Sequence, residues 1–549
     1  MSGEVSQRRL APESLVLYAS VFIMGGCGLA YEYTRSKLAS DLLGNSIEQW
    51  ALVIGVMMFF MGVGSDLQKY LNDEDLLAKF ISAEIALGLC GAFAPIIILD
   101  TYGRFESHFI LVQYFFIASI GLLIGFELPL LTRINAGNML KMDYIGALCG
   151  ALLWVFVLPR FFTTTEMAFV LGAITLAAAL VALWFFGTRV RGWRTLLASN
   201  LVALSMVAGG FLIAPRWTAH AEQALYRDRI VFSQTSKYQH VVVTESRSGG
   251  VSMFINGHLQ FDSQDEFIYH ENLVHPVMEI APGRSRVLVL GGGDGLAARE
   301  VLKYSDVAEL VLCDIDPAVI QMAKSQPELR RINRDAFADS RLHIVDNGAL
   351  LPSDTRELLV PNQNALSTRA SAKVAEVRVV NLDAIRFLEQ IDGRFDVAIL
   401  DFPDPNAPTL AKLYSKGFYE LLRQRLSPGG LIVQQSTSPF YAKEAFLTIG
   451  RTMESAGFAA TPYHDNVPSM GEWGWWIAGD KRWHTKESIA AQMGSLELTG
   501  TQTRYLTHET SRASLVFGAG QLQSESTAIN TLTSGVVYSQ YMRGWERYF

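Results

Sequence analysis

The sequence is short of charge. Only 18% of its 549 residues are Asp, Glu, Lys or Arg, and half are hydrophobic; an average soluble chain carries ~25% charge. That balance excludes a disordered chain, and the mean hydropathy of +0.21 points to membrane-embedded segments. Cysteine is scarce as well. Four in 549 residues cannot build a disulfide framework. Cys27, Cys90 and Cys149 lie in apolar runs and Cys313 in a strand-like run, so all four read as reduced core residues. There is no basic excess either. A net charge of −7 argues against a general nucleic-acid binder, which carries a positive footprint. No cluster with metal-ligand spacing occurs, so neither a metal nor a prosthetic group is expected. No internal repeat of 20–50 residues is visible.

What is present falls into two unlike halves. Residues 1–215 contain seven long apolar runs: Leu15–Tyr33, Ile47–Gly64, Phe80–Leu99, Phe109–Leu131, Tyr144–Leu158, Met167–Phe186 and Leu196–Ala214. A spanning helix needs ~20 mostly apolar residues, which most of these supply. Gly25, Gly26, Gly28, Gly146 and Gly150 would let helices approach closely. The expectation is a multi-pass helical bundle in a lipid bilayer, here the cell membrane. Glu32, Glu84 and Glu127 lie in or near these runs, where a buried acid is costly and points to function. Snorkelling at a helix end or pairing with Arg35 would explain Glu32 more simply.

Residues 216–282 read as a small β-hairpin region, with Gln239–Thr244 and Val251–Ile255 as its strands. From 283 to 482, β-branched runs alternate with amphipathic stretches: Arg286–Leu290, Glu309–Cys313, Glu376–Val380, Phe395–Leu400 and Gly430–Gln434. That alternation predicts a doubly wound parallel α/β sheet, Rossmann-like and of the class I methyltransferase kind. Residues 347–375 read as an inserted loop and 483–549 as a Ser/Thr-rich tail.

The strongest local signal is the run from Arg286 to Leu302, with Gly291-Gly-Gly-Asp294-Gly295 between strand and helix. Such glycines permit positive φ and close backbone approach to a ligand at the carboxyl end of the first strand. Asp314, twenty residues after Asp294, ends the second strand, where an acid can accept ribose hydroxyls. Asp294 itself would repel the pyrophosphate that a dinucleotide places on such a turn. It suits a cationic ligand: an S-adenosyl sulfonium carrying an ammonium and no carboxylate. A second signal, Asp401-Phe-Pro-Asp404-Pro405, places two carboxylates at a strand end, where one can act as base and the other hold an ammonium. Upstream, the polar and aromatic run from Gln260 to Glu271 offers Tyr269 and His270 to an amine pocket. Asp383, ending a third strand, can accept from an adenine amino group or cap a helix.

Together these segments resemble the spermidine synthase family, the polyamine aminopropyltransferases. The motifs are Gly-Gly-Gly-Asp-Gly before Arg-Glu-Val-Leu, Asp-Glu-Phe-Ile-Tyr-His-Glu at 265–271, and Asp-x-x-Asp-Pro, over roughly 230–480. Tyr31-Glu32-Tyr33, Asp143-Tyr-Ile-Gly146-Ala-Leu and Val467-Pro-Ser-Met-Gly-Glu-Trp-Gly are similar to its membrane-anchored branch. The resemblance implies transfer of the aminopropyl group of decarboxylated S-adenosylmethionine, the co-substrate, to putrescine or another diamine. The products would be spermidine and 5′-methylthioadenosine. It implies a nucleoside site of Gln239, Gly291, Gly293, Asp294, Asp314, Asp383, Ala384 and Pro408. It implies an amine site of Gln260, Tyr269, His270, Asp294, Asp401 and Asp404, with Asp401 as proton acceptor and Asp404 its partner, and often a homodimer. Phe402-Pro403 stands where the family usually has Ser, Thr or Cys, which bears on acceptor choice.

Two rivals use the same residues. A methyltransferase on this sheet would bring a methionine carboxylate against Asp294. A polyamine-binding or transport protein would have no need of the Asp401/Asp404 pair. Topology carries a conflict. Arg8, Arg9, Lys69, Lys79, Arg133, Lys141, Arg189, Arg191 and Arg194 outnumber Arg35, Lys37, Arg104 and Arg160 on the opposite loops, putting the N-terminus in the cytoplasm. Seven spans would then export the catalytic half, whereas its nucleoside substrate is cytosolic. The expectation adopted is a cytoplasmic catalytic domain.

Overall fold

The structure, a computed structural model, describes residues 12–43, 46–134, 138–337, 342–346, 375–498 and 500–548. Contacts divide the chain into two units, 1–227 and 228–549. The boundary falls later than residue 215 because the last apolar run continues as helix, through Pro215, to Gln223.

The first unit holds seven long helices: α1 (Pro12–Leu43), α2 (Ser46–Leu67), α3 (Leu76–Arg104), α4 (Glu106–Ile134), α5 (Met139–Phe156), α6 (Thr164–Phe186) and α7 (Trp193–Gln223). All seven carry stretches long and apolar enough to cross a membrane. The short run at Tyr144–Leu158 reaches spanning length by beginning at Met139. Glycine sets one crossing: a Cβ on Gly150 of α5 would lie 2.2 Å from the Gly26 carbonyl oxygen of α1. Only glycine allows backbones that close. Glu32 forms no ion pair with Arg35 among the described residues; Arg35 Nη2 donates instead to the Gly91 carbonyl at 2.8 Å.

The second unit opens with a four-stranded antiparallel sheet rather than a single hairpin: β1 (Arg229–Thr235), β2 (His240–Glu245), β3 (Val251–Ile255) and β4 (His258–Asp262). The outer strands are half-exposed: β1 carries the apolar run Ile230–Phe232, and β4 alternates Leu259 and Phe261 with polar residues. Helix α8 (Glu266–Ile280) follows. The main sheet comprises β5 (Arg286–Gly291), β6 (Glu309–Asp314), β7 (Leu342–Asp346), β8 (Glu376–Asn381), β9 (Phe395–Asp401), β10 (Leu426–Gln435), β11 (Phe458–Val467) and β12 (Gly471–Asp480). Its order is β11-β12-β10-β9-β5-β6-β8-β7. Strands β5 to β10 run parallel, and β12 and β11 close the edge antiparallel.

Three sequence expectations change here. Strand β7 lies between the second and third expected strands, so Asp383 follows the fourth strand of this sheet and Asp401 ends the fifth. The β11–β12 hairpin adds two strands beyond the five expected and supplies Trp475, wholly buried under Tyr463 and Tyr269. The Ser/Thr-rich tail carries helices of its own: Lys486–Gly494, His508–Ala513 and Val536–Trp545 pack onto the unit. The insert expected at 347–375 lies outside the described residues except for residue 375.

Candidate functional site

Strand order reverses at β5, which pairs with β6 on one side and β9 on the other. A crevice opens at the carboxyl ends of strands at such a switch point. Most of the residues singled out from the sequence gather there. Gly291, Gly292 and Gly295 all adopt positive φ in the turn before α9 (Leu296–Val301). A Cβ on Gly293 would lie 2.6 Å from Asp314 Oδ2, and the Gly293 N–H donates to that oxygen at 3.1 Å. Asp294 accepts from Leu296 N–H at 2.8 Å, holding the turn against α9.

Asp314 Oδ1 accepts from Asp316 N–H at 2.8 Å. Asp316, buried and overlooked in the sequence, accepts from Ser236 Oγ at 2.7 Å, and Ser236 Oγ accepts from Gln239 N–H at 3.1 Å. This relay fixes the β1–β2 turn bearing Gln239 against Asp316, just past the end of β6. Asp383 caps the helix Ala384–Gln390, accepting from Ile385 and Arg386 N–H through Oδ1. Pro408 opens the short helix Pro408–Ala411, where its fixed φ suits the first turn.

Asp401 is paired in register with Gly291. Tyr269 of α8 donates its hydroxyl to Asp401 Oδ1 at 2.7 Å. His270 Nδ1 lies 2.9 Å from Glu266 Oε2, and Arg299 of α9 clamps both oxygens of Glu266 at 2.8 and 2.9 Å. Asp404 accepts from Gln435 at 3.3 Å, from Thr437 Oγ1 at 3.2 Å and from the Tyr541 hydroxyl. Phe402, between the two aspartates, turns inward and packs on Phe418 at 5.7 Å between ring centroids. Gln260 stands apart: its side chain donates to the His258 carbonyl on its own strand at 3.0 Å.

Glu266, Arg299, Asp316, Gln435, Thr437 and Tyr541 were therefore missed. Glu266 was visible, four residues before His270 on one helix face, the spacing at which side chains meet. The others are brought in by tertiary structure.

The electrostatics favour a cationic guest. Burial raises the Asp314 carboxyl to about 7, against hydrogen bonds from Asp316 and Gly293. Burial raises Asp294 to about 6, against the charge of His270, and Asp404 to about 6, against its three donors. Asp401 is raised by burial too, opposed by His270 and Tyr269. For His270, burial lowers the imidazolium value, but the Glu266 hydrogen bond and the charges of Glu266, Asp401 and Asp294 outweigh it and raise it.

These shifts carry a sign for stability. A carboxyl raised on folding contributes stability that is full below its unfolded value, near 3.9, and is lost as pH rises through 6–7. His270, also raised, acts in the same direction. Glu266, which burial alone would raise, is held down to about 2 by His270 and Arg299, so it loses its contribution only in stronger acid. The ligand-free protein is expected to unfold at higher temperature at pH 5 than at pH 7.5. A flat or opposite trend in thermal unfolding would contradict this charge balance.

A Gly-rich turn, an acid at the end of β6 and two acids at the end of β9 thus meet at one crevice of a doubly wound α/β sheet. The spermine/spermidine synthase domain matches residues 266–352 and 362–487. The chain is 35% identical over 500 residues to a polyamine aminopropyltransferase of Leptospira interrogans, covering 89% of this chain and 93% of that one. It is 37% identical to polyamine aminopropyltransferase 2 of Ralstonia nicotianae, covering 85% and 87%. It is 32% identical to a polyamine aminopropyltransferase of Oceanobacillus iheyensis, covering 98% of both. The chain belongs to the polyamine aminopropyltransferases, transferases of the spermidine synthase type.

Proposed function

We propose that this transferase moves the aminopropyl group of decarboxylated S-adenosylmethionine to putrescine or a similar diamine, releasing spermidine and 5′-methylthioadenosine. The observation that carries this is the Asp401 carboxylate, held by Tyr269 at 2.7 Å and in register with Gly291 of the nucleoside turn. Asp314 takes the ribose hydroxyls. Asp383 and Ala384 border the adenine. Asp294 and His270 face the charged amines, and Asp404 anchors the far ammonium. An alkyl ammonium has a pKa near ~10.4, so one acceptor nitrogen must lose a proton before it attacks. Asp401 takes that proton. The nitrogen lone pair then forms the new C–N bond, the C–S bond breaks, and its electrons neutralise the sulfonium. Positioning for this in-line displacement supplies much of the remaining rate.

Purified protein should produce methylthioadenosine and one new polyamine when given decarboxylated S-adenosylmethionine and a panel of diamines, read by mass spectrometry. No product with any amine, despite nucleoside binding, would sink the substrate assignment.

We further propose that the helical unit lies in the cell membrane and the catalytic unit in the cytoplasm. Large apolar side chains on the bundle surface support the first part: Phe59, Trp184 and Leu212 are 66%, 83% and 78% exposed. The source of the nucleoside supports the second, and it requires the N-terminus of a seven-span bundle to lie outside. A green fluorescent protein fused after residue 549 should fluoresce in cells. Activity of a fused periplasmic phosphatase instead would place the catalytic unit outside.

A further inference from the structure

The chemistry above uses nothing from residues 12–223, yet the interior of that unit is not wholly apolar. Glu127 of α4 is 0% exposed and Glu84 of α3 is 1% exposed. Both carboxylate oxygens of Glu127, and Oε1 of Glu84, have no hydrogen-bond partner among the described residues. The two glutamates stand within electrostatic range of each other, and Glu127 within range of Asp143 on α5. Cys27 of α1 lies within range of both glutamates. Side chains from four helices therefore converge on one interior region.

Packing holds them there. A Cβ on Gly25 would lie 2.6 Å from Asp143 Oδ1, so glycine on α1 is what admits the Asp143 carboxyl. One turn beyond Cys27, the Tyr31 hydroxyl lies 3.4 Å from Thr175 Oγ1 of α6 and also within range of Glu84. Arg35, a further turn along, spends Nη2 on the Gly91 carbonyl and leaves Nε and Nη1 unpartnered. Three acids thus outnumber one base along this file.

A charged carboxylate left unpaired in such an interior costs several kcal/mol, a cost met by taking up a proton or by a cation that enters the site. A primary ammonium has three N–H donors, for which the orphaned oxygens of Glu84 and Glu127 are acceptors. We infer that Glu84, Glu127 and Asp143 form a second cation site, in the helical unit, that takes the primary ammonium end of a polyamine. The choice of ligand, though not the site, rests on the aminopropyl-transfer reading.

The test is equilibrium dialysis of the full chain in detergent, with labelled putrescine and labelled spermidine. Two saturable classes per chain are expected. Asp401→Asn should spare the helical class. Glu127→Gln and Glu84→Gln should each weaken it about 10–100-fold, the loss of a charged hydrogen bond, and Glu127→Asp should restore part of it. Size-exclusion profiles show whether each variant folds, and Asp143→Asn serves if either Gln variant does not. A single class, or an isotherm unchanged in the folded variants, overturns the site; so does proton uptake on titration without amine binding. Methylthioadenosine formation on the same samples separates the readings. Glu127-dependent binding without turnover would sink the proposed reaction and keep the site.

Discussion

Asp401→Asn is expected to lower kcat by about 10²–10⁴-fold, the range a positioned base contributes. The change is nearly isosteric. The Asn carbonyl can still accept from Tyr269, so the 2.7 Å contact survives and the pocket keeps its shape. What disappears is the place for the proton. Nucleoside affinity, set by Asp314 and the glycine turn, should hold within a few-fold in equilibrium binding of methylthioadenosine. Folding should not suffer, because burial already disfavours a charged Asp401. The variant should also change its pH dependence. Its residual rate should climb with pH as free amine forms in solution, approaching the ammonium value near ~10.4. A variant retaining more than about a tenth of wild-type kcat would remove Asp401 from the base role, since even weak general bases contribute more than that. Asp404, which has three hydrogen-bond donors around it, would then be the next group to replace.

Glu266→Gln is expected to destabilise the catalytic unit by about 3–5 kcal/mol, the cost of stranding one member of a buried ion pair. Glu266 and Arg299 are 2% and 9% exposed and bonded through both carboxylate oxygens. After the change, Arg299 keeps Glu300 and the Ile332 carbonyl, but the fork loses its charged acceptor. His270 loses the hydrogen bond that most raises its imidazolium. Denaturant unfolding followed by tryptophan emission, to which Trp473, Trp475 and Trp476 contribute, would measure the loss. Replacing both partners by apolar residues of similar volume should cost far less than the single change. A single-variant loss below about 1 kcal/mol would mean that water reaches the pair, as at a surface bridge.

The parts of this molecule legible in the sequence are those whose cause is local. The glycine turn needs positive φ at 291, 292 and 295, and only glycine supplies it cheaply, so the motif shows. Asp314, Asp383 and Asp401 sit at strand ends because the chemistry of a doubly wound sheet collects there. The seven apolar runs became seven helices, with one end moved by Met139 and another by Gln223. What stayed hidden lacks a local cause. Strands β1 and β4 are half-exposed, and their pairing is what makes them strands. Glu271 accepts three backbone N–H groups, from Arg504, Tyr505 and Leu506, and backbone donors leave no mark in side-chain identity. Asp316 matters through Ser236, 80 positions away. Gln260, by contrast, opens the polar and aromatic run that ends at Glu271, yet its side chain turns to its own strand.

Tyr541 reaches Asp404 from a helix that begins 49 residues beyond the stretch matched by the synthase domain, which stops at 487. A fragment cut at that edge would keep the whole sheet, both aspartates and the glycine turn, and would still be an incomplete catalyst. It would also strip Glu271 of its three donors and leave that carboxylate facing the gap. The smallest working piece of the catalytic unit therefore extends through Trp545.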